Sequence, residues 1–108
     1  MNFRSERVSK LIREELAKII IREVEFDNAL VTITAVDVDK KLEHAKVNVS
    51  VIPSASGEAA LKELEKRAGS LQFLLMKKIN IKPMPRIVFM LDHGMENAAD
   101  VEKALLSE

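Results

Sequence analysis

The spacing of apolar residues changes period along this chain, and the order of those changes leaves few folds open. From Ser5 to Glu23 the apolar residues Val8, Leu11, Ile12, Leu16, Ile19 and Ile20 recur every three or four positions, as one buried face of a helix requires. Arg7, Lys10, Glu14, Lys18 and Arg22 fall on the other side. Asp27 and Asn28 mark a turn. Val31-Thr32-Ile33-Thr34 then alternates with a period of two, and after Ala35 the apolar phase flips to Val36 and Val38. A β-bulge produces such a flip, although a strand buried on both faces gives a similar pattern. Asp39–Glu43 is a polar connection, and Lys46–Val51 alternates cleanly with its valines on one side. The two strands are expected to form one antiparallel pair.

Helical spacing returns after Pro53–Gly57, a loop in which Ser54 or Ser56 is expected to cap the next helix. The stripe Leu61, Leu64, Ala68, Leu71, Leu75, Ile79 keeps one helical phase, and Gly69 interrupts it. Glycine in a helix interior costs about 1 kcal/mol relative to alanine. Its presence points to a kink or a close approach to the backbone, so two helical segments joined by a bend at Gly69 are expected. Pro83 and Pro85 force an extended path. Ile87–Leu91 is apolar on both faces, which suggests a strand that is covered on both sides or lies centrally. Asp92-His93-Gly94 reads as a turn, and Glu96–Leu106 as a last amphipathic helix with Ala98, Val101 and Leu105 on one side. The expected order is α-β-β-α-(kink)-α-β-α. It gives an α+β fold in which residues 1–108 form a single domain, with helices on one face of a three-stranded sheet.

Charge narrows the function. The whole chain is neutral, but residues 62–86 hold seven basic residues against two acidic ones, while 87–108 hold one against five. A polarised neutral protein offers one surface to anions and does not coat nucleic acid indiscriminately. The absence of cysteine excludes thiolate chemistry, disulfides and zinc ribbons. No signal peptide and no run of membrane-spanning length is present, which reads as cytoplasmic.

At about 100° per residue, Lys62, Lys66, Phe73 and Lys77 cluster opposite the apolar stripe, with Arg67, Gly69 and Ser70 nearby. Basic residues interleaved with an aromatic suit phosphate contact and base stacking, but the same pattern describes a solvated lysine face. Phe73 itself is expected to tuck into the kink. Lys82 and Arg86 extend the positive surface; Arg4, Arg7 and Lys10 could form a second contact patch, but a charged outer helix face is commonplace and is the reading expected here. His44 and His93 have no evident nucleophile or third ligand nearby and are expected to be structural. Asp37 and Asp39 alternate near His44 without the pattern of a calcium loop. No catalytic triad, nucleotide fingerprint, cofactor motif or metal site is expected, and no small-molecule substrate.

An α-β-β-α-α-β order at this length resembles the type II KH domain, a fold used to hold RNA. The segments Asn28–Val38 and Leu42–Val51, the Arg7-Val8 entry to the first helix and the Pro85-x-Ile87-x-Phe89-x-x-Asp92 ending are together similar to the bacterial ribosome-binding factor A family. That family lacks the Gly-x-x-Gly loop of ordinary KH domains and has an Ala-x-Gly kink instead. The matching positions here are Arg67-Ala68-Gly69, with arginine in place of the first alanine; Lys41-Leu42 likewise departs from a common Asp-Leu. The resemblance implies a non-enzymatic late maturation factor of the small ribosomal subunit. It would bind the immature 30S particle and 16S rRNA as a monomer, favour correct processing of the rRNA ends, notably in the cold, and need no cofactor. With the charge map, the resemblance makes Lys62, Lys66, Arg67, Gly69, Ser70, Lys77, Lys82 and Arg86 the expected RNA contacts. The alternative is a protein-interaction domain of a ribosome-assembly complex without direct RNA contact.

Overall fold

The computed structural model describes residues 3–92. Its elements run α1 (Phe3–Glu23), β1 (Leu30–Val38), β2 (His44–Ile52), α2 (Gly57–Lys66), α3 (Ala68–Lys78) and β3 (Arg86–Leu91). The expected α+β architecture is present. The C-terminal helix expected over Glu96–Leu106, and His93, lie outside the described residues.

β2 is the central strand, antiparallel to β1 and parallel to β3. The phase flip in β1 is a bulge: Ile33 pairs with Val49, Ala35 with Asn48, and the register shifts between them. The extra residue returns Val36 to the buried side opposite Val47. Inward residues Val47, Val49, Ile87 and Phe89 meet the helices in one apolar core with Ile12, Leu16, Ile19, Leu64, Leu71 and Leu75. Each such large side chain contributes about 2 kcal/mol of transfer free energy. Leu11, expected in the buried stripe of α1, is exposed. It lies about 100° around the axis from Ile12, on the flank of that stripe.

Three local expectations are corrected. Among the described residues β3 is an edge strand, and its outward-pointing Val88 and Met90 are exposed. Its apolar run therefore covers one inward and one open face, a distinction that periodicity alone does not make. Neither Ser54 nor Ser56 caps α2 through its hydroxyl, because a 3-10 turn over Ser54–Ser56 already leads into the helix. The Ser56 N–H donates to the Pro53 carbonyl there, at 3.0 Å. Finally, the bend between α2 and α3 sits at Arg67 (φ −97°, ψ 2°), not at Gly69. The Arg67 N–H is shared between the carbonyls of Glu63 and Leu64, 3.2 Å from each, so the helix tightens there before α3 resumes. Gly69 lies inside α3, and its φ is not positive.

Candidate nucleic-acid interface

The α2–α3 pair is fixed to the sheet on its inner side, which decides what it presents outward. Leu64, Leu71 and Leu75 are buried, and Gln72 ties α3 to the start of β3. The Gln72 amide donates to the Pro85 carbonyl (2.9 Å), and its oxygen accepts from the Ile87 N–H (2.8 Å). This clamp fixes the rotation of α3. Lys62 and Lys66 on α2, and Gly69, Ser70, Phe73, Met76 and Lys77 on α3, are consequently exposed.

The basic candidates divide into distinct settings. Lys62, Lys66, Lys77 and Lys78 form no ion pair among the described residues, although the Lys66 charge also acts on the Glu63 carboxylate. Lys77 and Lys78 also occupy the last turn of α3, where a cation complements the helix dipole. Arg67 is exposed, but its Nε lies 2.6 Å from a Glu63 carboxylate oxygen. That hydrogen bond holds the Glu63 carboxyl below the usual carboxylate range and leaves Arg67 partly neutralised. Arg86 stands apart, lining a cleft of about 400 Å³ between the bend and β3 with His44, Glu65, Ala68, Gly69 and Gln72. Gly69 borders this cleft, while Arg86 faces mixed charge within it. Lys82 lies beside α1, its carbonyl accepting from the Arg4 guanidinium at 3.1 Å. Lys62, Lys66 and Lys77 are thus exposed on α2 and α3, whereas Arg86 lines the cleft beside β3 and Lys82 lies against the start of α1.

Phe73 contradicts its expected burial. It is 56% exposed and its neighbour Met76 51% exposed, while the Lys77 ammonium stands 4.6 Å from the centre of the Phe73 ring. A side chain built at Gly69, one turn earlier, would meet nothing within 4 Å. The core side of α3 is already filled by Leu71 and Leu75, so the ring has nowhere inward to go. The periodicity that puts Phe73 opposite the stripe is the signal for its exposure. Gln72 carries no comparable signal, since a polar residue in a helix says nothing of a clamp.

His44 opens β2 at the end of the turn that begins at Asp39. The Asp39 carboxylate accepts from the backbone N–H of Glu43 (2.7 Å) and of His44 (3.3 Å), and His44 Nδ1 lies 3.4 Å from its second oxygen. These contacts, led by the Glu43 N–H, hold the Asp39 carboxyl below the ordinary carboxylate value. They support the left-handed backbone at Leu42 (φ 59°), whose side chain is buried. Among the described residues no three carboxylate or imidazole groups converge as a metal site, and no helix is long and apolar enough to cross a membrane. A second concavity, about 670 Å³, runs between α1 and β1 with Ala17, Ile20, Ile21, Leu30 and Val31 in its walls. Ile21 there is 81% exposed.

Comparison with known proteins agrees with this architecture. The family model described as ribosome-binding factor A matches residues 4–105. Ribosome-binding factor A of Caldanaerobacter subterraneus subsp. tengcongensis is 33% identical, over 97% of this chain and 88% of its own. That of Synechococcus sp. strain WH7803 is 36% identical, over 91% and 73%. Among solved structures, the crystal structure of ribosome-binding factor A from Thermus thermophilus has a TM-score of 0.72 at 23% identity, covering 81% of this chain and 93% of its own. A Thermus thermophilus ribosome binding factor A homology model fitted into a cryo-EM map of a 30S complex has a TM-score of 0.67 at 24% identity, covering 78% and 90%.

Proposed function

Because the chain belongs to the ribosome-binding factor A family, we propose that it binds the immature small ribosomal subunit as a single KH-like domain, through 16S rRNA. Late in maturation it favours correct processing of the rRNA ends without catalysing the cleavage. The observation that carries this reading is that Lys62, Lys66 and Lys77 are exposed and form no ion pair among the described residues, on two helices whose inner sides are packed on the sheet. The related protein fitted into a 30S complex supports the choice of particle.

The mechanism is positional. Ammonium groups on two helices that meet at a bend span a curved backbone better than one straight helix does. Phosphates meeting them release condensed counterions, which makes binding steeply salt-dependent. Holding one conformation of an rRNA junction shifts the population of the immature particle toward it, by no more than the difference in affinity for the two forms. A second reading, a protein contact in an assembly complex, is favoured by the apolar groove between α1 and β1. Co-sedimentation with small subunits, large subunits and intact ribosomes over a range of salt separates the two. RNA binding by the basic face predicts association with small subunits that falls steeply with salt. Association insensitive to salt, or equal for both subunits, refutes it.

A further inference from the structure

An exposed phenylalanine inside a row of lysines is not explained by folding. The domain gains little from a ring left largely in water, and Phe73 with Met76 makes an apolar patch on an otherwise charged face. The chemistry of the surroundings limits what covers it. Lys77 stands over the ring at 4.6 Å, and Lys66 and Lys62 are exposed on the helix before the bend. A purely apolar partner would have to desolvate these ammonium groups without compensation. A partner both planar and anionic satisfies ring and ammonium together, and a nucleotide is such a molecule. We propose that Phe73 is a stacking platform for an unpaired nucleobase of the bound RNA, with Lys77 placed to meet the adjoining phosphate.

The base must be unpaired, because bases in an A-form duplex present their edges outward and keep their faces stacked inside. Gly69 supports the assignment. It lies on the same side of α3 one turn before Phe73, and with no neighbour within 4 Å of its missing side chain it leaves bare backbone beside the ring. A base on the ring can extend over that backbone, and any branched side chain at position 69 would obstruct it. The platform rests on the reading of this face as the RNA-binding surface and adds the ligand class: a loop, bulge or end rather than a helix.

The sequence has no tryptophan or tyrosine, so Phe73→Trp introduces a single indole at the platform. Its fluorescence is expected to be quenched by a short single-stranded RNA of about ten nucleotides, within the usual footprint of such sites, and left unchanged by the same sequence in a duplex. Phe73→Leu, which keeps apolar bulk without a π-face, is expected to bind the single strand and the small subunit about tenfold more weakly, with the salt slope unchanged. Circular dichroism of each variant confirms the fold. An unquenched indole, or wild-type affinity of Phe73→Leu, overturns the platform. Weaker subunit binding by Phe73→Leu with no fluorescence response to RNA would make the patch a protein contact and also overturns it. Lys62→Glu with Lys66→Glu separates this from the reading beneath it. If that variant loses subunit binding while Phe73→Leu does not, only the platform falls; if neither loses it, the RNA face falls as well.

Discussion

Replacing Gly69 tests whether the bend and the glycine are separate features. The break lies at Arg67, and Gly69 has helical backbone at the second position of α3. A methyl group there meets nothing within 4 Å, so Gly69→Ala introduces no clash. Alanine also removes conformational freedom from the unfolded chain, an effect of about 0.4–1 kcal/mol at a compatible site. Because the first turn of a helix is less ordered than its interior, about 0.5 kcal/mol is the appropriate figure. For a domain of this size that raises the melting temperature by about 2–4 °C. Urea unfolding followed by circular dichroism should show a higher midpoint with an unchanged slope. Gly69→Val should melt near the wild-type temperature, since its β-branch offsets the gain, yet bind small subunits more weakly through obstruction beside Phe73. A fall in the melting temperature of the alanine variant beyond about 2 °C, half a kcal/mol in the wrong direction, would refute the helical placement of Gly69. Equal subunit binding by the valine variant would remove this side of α3 from the interface.

Two further changes probe what positions that face. Gln72→Leu leaves the Ile87 N–H and the Pro85 carbonyl without their partner, and should destabilise the domain by about 2 kcal/mol in urea titration. A cost near zero would mean that the clamp does not hold α3. At Asp39 the folded-state pKa is lowered, so its stabilising contribution is present above the unfolded carboxylate value and is lost as pH falls through the folded one. Asp39→Asn should therefore lower stability near neutral pH and flatten its decline on acidification, as measured by thermal melts across that range. Parallel curves for both proteins would contradict the turn assignment.

How much of this is legible in the sequence follows from what each signal constrains. A period-two pattern reports the face of each residue, so the phase flip marks an irregularity near Ala35, and the pairing shift between Ile33 and Ala35 shows it to be a bulge. Helical phase likewise places Leu64, Leu71 and Leu75 inward and the lysines outward. Gly69 misleads because propensity marks a residue that tolerates a bend, while the bend itself falls where a shared N–H hydrogen bond tightens the chain, at Arg67. The apolar run of β3 does not distinguish an edge from a centre, since strand order is set by long-range pairing. Phe73 reads as inward only from the general habit of phenylalanine, against the phase of its own helix. The Gln72 clamp joins residues 13 and 15 positions apart and has no local signature.

The central claim, that the basic face of α2 and α3 holds the small subunit, is tested most directly by Lys66→Glu combined with Lys77→Glu. Both side chains are exposed and form no ion pair among the described residues, so the variant should keep its fold. Each lysine that meets a phosphate contributes roughly 0.7–0.9 to the slope of log affinity against log salt. Quantitative co-sedimentation of the folded double variant with small subunits is predicted to show at least about tenfold weaker binding at about 50 mM salt and a slope shallower by about 1.5. Wild-type binding with an unchanged slope would contradict the account and move the interface elsewhere on the molecule.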